Sequence, residues 1–210
     1  MAAWSLYDRL GGERRCYGCA ESLLDRPAVL EDGRAFCDTC WDGLCSADEL
    51  RVLFGQCRQF VNAVLGLPLP HELELVLLDP ITLGSRIGDT WLGTLARNVG
   101  QFENTQLGAR VLLECPLPRD LASEVLAHEL GHAWFELATQ GKRSETSSEG
   151  FAQWVAYHYC KHIGLEQQVD RILARVGPMG HGVKYWLDRE RRVGRAAMLS
   201  LEQTRSPSGP

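Results

Sequence analysis

The stretch SEVLAHELGHAWFEL sets His128, Glu129 and His132 inside one apolar run. On a helix, imidazoles four residues apart share a face and can reach one metal ion. Glu129 falls about 100° around the axis, beside such an ion and off the ligand line, where a base acting on water belongs. The plainer alternative is a core helix whose histidines find ordinary hydrogen-bond partners. A third ligand would decide between them. The metzincin continuation needs glycine and histidine where this chain has Phe135 and Ala138, so that class is excluded. A glutamate from the next helix is the other common solution, and Glu149 and Glu145 are both in range. Glu149 opens the apolar segment EGFAQWVAYHYC, and an inward carboxylate there calls for a cation. Thr146-Ser147-Ser148-Glu149 also reads as a capping box, with Glu149 turned back to the Thr146 backbone. His158 lies about 180° around the helix from Glu149, so His158 and His162 form a pair of their own, read as surface or core rather than as a second catalytic metal site.

Of eight cysteines, four fall into the pairs Cys16/Cys19 and Cys37/Cys40. Two such knuckles separated by a short spacer match a closed tetrahedral thiolate site for zinc, and in a chain whose start lacks an export signal this reading outranks disulfides. The segment around them has too few large apolar residues for a core of its own, so zinc is expected to supply much of its folding free energy. Cys45 finds no vacancy in a four-thiolate set and is expected to be a buried thiol.

The elements that must position these groups follow from periodicity. Ser46 and Glu49 make a capping box, and Leu50, Leu53, Phe54, Cys57, Phe60 or Val61, and Val64 recur at helical spacing, so residues 46–66 form a helix with one core face that includes Cys57. ELELVLLD (72–79) and ARVLLEC (109–115) have the length and apolar density of strands. Helices are then expected over roughly 120–139, 147–163, 165–176 and 184–200. There is no internal repeat. Strands first and helices after give an α+β fold. The expected organisation is a cysteine module at 13–45, a main domain at 46–200 and a disordered Pro/Gly-rich tail at 201–210.

Composition excludes several classes. With 45% apolar and 23% charged residues the chain is that of a soluble globular protein. A net charge of -5 argues against nucleic acid and anionic membrane, which are bound through clustered Lys and Arg. No apolar run reaches a membrane span, and the start has no secretory signal, so a cytoplasmic protein is expected.

The run RVLLECPLPRDLASEVLAHELGHAWFEL, then EGFAQ, resembles the peptidase domain of the plant LIM-domain, ubiquitin-activated metallopeptidases that limit organ growth. CYGC…LEDGRAFCDTCWDGL and the helix through CRQFVNAVLGLPLP resemble the cysteine-rich segment before that domain, and the similarity spans about residues 13–193. The resemblance implies a gluzincin-type zinc endopeptidase with a zincin-like domain, preceded by a small treble-clef, LIM-like zinc finger. It implies His128, His132 and Glu149 as ligands of a catalytic zinc, Glu129 as general base, and Cys16, Cys19, Cys37 and Cys40 around a structural zinc. The substrate would be a protein or peptide, and the finger could engage a protein partner.

Within that mechanism a donor to the developing oxyanion is expected, with His181 and Tyr185 as candidates, and Gln153 as a residue orienting a histidine. ARVLLEC is expected as an edge strand able to take up an extended peptide, the alternative being a buried interior strand. The competing function is a catalytically silent zinc-binding interaction module. The retained Glu129 argues against it, because a site freed from catalysis needs no acid/base glutamate there. A zinc hydrolase of a non-peptide bond has the same ligands.

Overall fold

The computed structural model describes residues 15–23, 27–87, 98–106, 108–139 and 145–204. In the cysteine-bearing segment β1 (Ala28–Val29) and β2 (Ala35–Phe36) pair antiparallel and lead into the short helix α1 (Asp38–Asp42). β3 (Leu44–Cys45) then pairs antiparallel with β7 (Leu117–Pro118), so this segment is stitched to the chain just before the stretch that carries His128 and His132. The stitch is reinforced by a buried ion pair. Arg34 Nη1 lies 2.6 Å from Glu114 Oε1, with side chains 1% and 0% exposed, and also donates to the Pro116 carbonyl. Tyr17, inside the first cysteine knuckle, donates its hydroxyl to Glu114 Oε2.

α2 (Ala47–Ala63) starts as the sequence predicts. The Ser46 hydroxyl accepts from the Glu49 N–H and the Glu49 carboxylate accepts from the Ser46 N–H, a box worth about 1 kcal/mol. Its buried face is Leu50, Leu53, Phe54, Cys57, Phe60 and Val61, whereas Val64, expected on that face, is the C-cap and is 51% exposed.

The main sheet has β4 (Glu74–Leu78), β5 (Gly100–Thr105) and β6 (Gly108–Glu114) in the order β4-β6-β5. β4 runs parallel to β6 and β5 antiparallel to it. ARVLLEC is therefore the central strand, not the edge strand expected above. Val111, Leu112 and Leu113 are all fully buried, and a continuous apolar run is the mark of a strand covered on both faces. The edge on the helix side is β5, whose sequence GQFENT carries little apolar signal. α3 (Pro80–Ile87), also unannounced by the pattern, is capped by Asp79, which accepts from the Ile81 and Thr82 N–H groups.

α4 (Arg119–Thr139) and α5 (Glu145–His162) form the centre of the molecule, with α6 (Glu166–Ala174), α7 (Gly177–Val193) and α8 (Arg195–Thr204) around them. α4 is buried on nearly every side, from Ala122 to Phe135, which is how a helix apolar all round must sit. Trp134, Phe135, Phe151, Trp154 and Trp186 interlock at ring separations of 5.1–6.0 Å and tie α4, α5 and α7 together. The single helix expected over 184–200 is two helices, since Gly194 at φ 78° ends α7 in a backbone region that disfavours other residues. α7 also begins earlier, at Gly177. α8 continues to Thr204, so the first residues of the expected tail are helical, and 205–210 lie outside the described residues. The class is mixed α+β with small sheets. Among the described residues no helix is long and apolar enough to cross a membrane.

Candidate metal centre

α4 presents His128 and His132 on one face with Nε2 atoms 3.0 Å apart. α5 brings Glu149 onto them, with Oε1 3.2 Å from His132 Nε2 and Oε2 3.5 Å from His128 Nε2. The helices can approach this closely because both contact points are glycines. A Cβ on Gly131 would lie 2.7 Å from the Ala152 Cα, and one on Gly150 would lie 2.5 Å from the Gly182 Cα of α7.

The donor chemistry fits a cation. Two ring nitrogens and a carboxylate turn their lone pairs toward one point, all within 4.8 Å of one another, and Glu149 Oε2 is buried without a hydrogen-bond partner. With both Nε2 atoms unprotonated, the three lone pairs face one another and call for a cation between them. The far side of each ring sets the tautomer. His132 Nδ1 meets the Ser148 hydroxyl at 2.9 Å and His128 Nδ1 meets the Gln153 carboxamide at 3.0 Å. Gln153 Oε1 is a buried oxygen with no partner where the amide nitrogen faces the ring. With the amide turned, the oxygen accepts from Nδ1–H, and both Nε2 atoms are then free of protons for a metal. Burial, helped by His132 and Arg175, pulls His128 well below the ordinary histidine range, so it is neutral. For His132 burial acts the same way, but the Glu149 carboxylate outweighs it and its pKa rises.

Glu129 stands outside the three-donor group. It is 6% exposed, and its Oε2 accepts from the Phe102 N–H of β5 at 2.7 Å. Burial pushes its pKa up to about 7, against the pull of His132 and the Phe102 amide. A carboxyl so poised can both take and give a proton near neutrality.

α5 begins before Thr146, so Glu149 is beyond the capping positions and its carboxylate faces the histidines rather than the helix end. The capping-box reading of Glu149 is thereby overturned. The Glu145 and Thr146 side chains lie outside those described. His181 and Tyr185 are exposed on α7, and neither hydrogen-bonds to the metal group. The Tyr185 hydroxyl accepts from Arg189 at 3.4 Å, and its ring stands edge-on to Trp186. His158 meets Glu190 at 2.8 Å and His162 packs on Phe60, and neither belongs to a metal-type group among the described residues.

The second group is Cys16, Cys19, Cys37 and Cys40, whose sulfurs also lie within 4.8 Å of one another. All eight cysteines are free thiols, and the 3.7 Å between Cys19 and Cys37 Sγ is far beyond a disulfide bond. The Cys40 thiol draws Cys16 down to about 4, with the Cys37 N–H also donating to its sulfur, while burial pushes Cys19 up to about 11. A cluster in which one thiolate is already favoured is the chemistry a thiophilic cation requires. Cys45 is buried and outside the set, as expected.

Sequence reasoning missed Ser148 and the Phe102 amide. Ser148 precedes Glu149 and was hidden in the apparent capping box. The Phe102 contact depends on β5, which had no pattern to announce it.

No curated protein and no solved structure matches the chain. A family model described as DA1-like, Protein DA1, matches residues 74–181, which run from β4 through both metal-facing helices to His181 and leave the cysteine group outside. That match covers just over half of the chain, and the chain belongs to the DA1-like family.

Proposed function

We propose that this protein is a zinc-dependent endopeptidase of gluzincin type, with a zincin-like arrangement and protein substrates. The observation that carries the reading is the convergence of His128, His132 and Glu149 on one point while the buried Glu129 is held aside by the Phe102 amide. A zinc ion held by those three residues would supply Lewis acidity to a peptide carbonyl and to water. Glu129 takes a proton from the attacking water on Oε1, the oxygen not engaged by Phe102, and delivers it to the leaving amine. Ser148 and Gln153 keep the histidine rings turned with Nε2 inward. β5, an edge of the sheet lying along α4, offers backbone groups to an extended peptide, the role first expected of ARVLLEC. An oxyanion donor would come from His181 or Tyr185, and the Gly150–Gly182 contact sets His181 one residue from the point where α7 meets the Glu149 helix. The four clustered cysteines would hold a second, structural zinc.

The test is incubation of the purified, zinc-loaded protein with a denatured protein mixture, followed by mass spectrometry of new termini. New termini from the native chain, and none from a Glu129→Gln variant with unchanged zinc content, are expected. Equal cleavage by the variant removes Glu129 from the mechanism. No cleavage by the native chain, with both metals bound, favours the silent module.

A further inference from the structure

Where the ends of α2, α5 and α8 meet, a cleft of about 200 Å³ opens to solvent on the side of α5 away from the metal group. Phe60 and Leu65 form its apolar floor, and Val64, 51% exposed, continues it onto the surface. Lys161, His162 and Arg195 line the same cleft.

Its cationic groups are set before any ligand arrives. Arg195 donates from Nε to Glu190 Oε1 at 2.7 Å and from Nη1 to the Val64 carbonyl at 3.2 Å, and it lies over the Trp154 ring. Glu190 is itself fixed by Trp154 Nε1 at 2.9 Å and His158 Nε2 at 2.8 Å. The guanidinium plane is thus locked, and its Nη2 has no acceptor among the described residues. A locked fork loses little entropy on meeting a carboxylate. The Lys161 ammonium sits over the Tyr157 ring at 5.7 Å with no carboxylate partner among the described residues. Glu190 is matched by Arg195, so Lys161 leaves this cleft with excess positive charge in a chain of net charge -5. Along α5, His162 is about 20 Å from Glu149.

We propose that this cleft docks an acidic peptide segment of a protein partner, with one aliphatic side chain on the Phe60–Leu65 floor and flanking carboxylates on Arg195 and Lys161. The apolar floor runs out to exposed Val64, which suits an aliphatic side chain, and the uncompensated Lys161 with the free edge of Arg195 suits a few carboxylates beside it. The inference stands apart from the peptidase reading, since it needs neither metal nor turnover.

The experiment uses fluorescence anisotropy on the full metal-loaded chain. The probe is a dye-labelled peptide with one leucine between pairs of glutamates, compared with the same peptide carrying glycine for leucine and with its lysine counterpart. Saturable binding of the Glu/Leu peptide that weakens with added salt is expected, with the glycine peptide about tenfold weaker and the lysine peptide inert. Lys161→Glu and Val64→Asp, both at exposed positions, should each weaken binding about tenfold with metal content unchanged. On the native chain, amide chemical-shift changes on titration should centre on residues 60–65 and 158–163. No saturation at millimolar peptide, equal binding of the three peptides, or shifts centred on β5 would each overturn the proposal.

Discussion

Glutamine in place of Glu149 distinguishes a ligand from a bystander. The side chain keeps its shape, but a charged donor becomes a neutral one, and a metal held by His128, His132 and residue 149 should be lost to mild chelation. The cysteine-bound metal should stay, because closed thiolate sites release zinc slowly by comparison. Metal analysis before and after dialysis against a weak chelator checks this, and two metals retained by Glu149→Gln would remove the carboxylate from the site. Ser148→Ala probes the ring behind it. Loss of the Oγ–Nδ1 contact should weaken metal binding about 10–100-fold in chelator competition, with Ser148→Thr restoring most of it. The HExxH pair was readable because helix geometry alone brings residues four apart together. Ser148 was not, because its role depends on how α5 is rotated against α4, which the local sequence does not encode.

Elements, too, were readable in proportion to how much local pattern fixed them. The capped helix α2 and the strand β4 carry complete signals. β6 was found, but its place in the sheet was misjudged, since a sequence reports the burial of a strand and only indirectly its neighbours. β5 is a strand because Gly100–Thr105 pairs with Gly108–Leu113, a tertiary cause that overrides weak propensity. The seating of α5 between α4 and α7 rests on Gly131 and Gly150. Gly131→Ala and Gly150→Ala should each cost about 1–3 kcal/mol through forced separation of helices. They should also weaken the hold of His128, His132 and Glu149 on a metal, because the histidines and the glutamate sit on the helices being pushed apart. Thermal denaturation together with chelator competition reads both effects. A gain in stability, as expected of an alanine replacing glycine in an open helix, would show that the close approach is not needed.

At the scale of the whole molecule the cysteine segment and the helical core are joined where the sequence suggested separate modules. The buried pair Arg34–Glu114, the Tyr17 hydroxyl on the same carboxylate and the β3–β7 ladder connect the hairpin beside the cysteine cluster to the end of the central strand. Arg34 is locked in place by Asp32 in its own turn, so the hairpin delivers a pre-set guanidinium to a carboxylate that has no access to water. Burial works against the charge on Arg34, yet Asp32 and Glu114 more than offset it and raise its pKa further, so the guanidinium stays charged. Removing one partner leaves the other charged and dry. Arg34→Met should therefore destabilise the folded protein by about 3–5 kcal/mol in denaturant unfolding, and the double change Arg34→Met with Glu114→Leu should recover much of that loss, because the unpaired charge is gone. Stripping the cysteine-bound metal should act through the same connection, lowering the unfolding transition of the whole chain rather than splitting off an early one. An Arg34→Met protein within 1 kcal/mol of the parent, or a chelated protein that unfolds in two separate steps with the later one unmoved, would mean that the helical core stands without the cysteine segment.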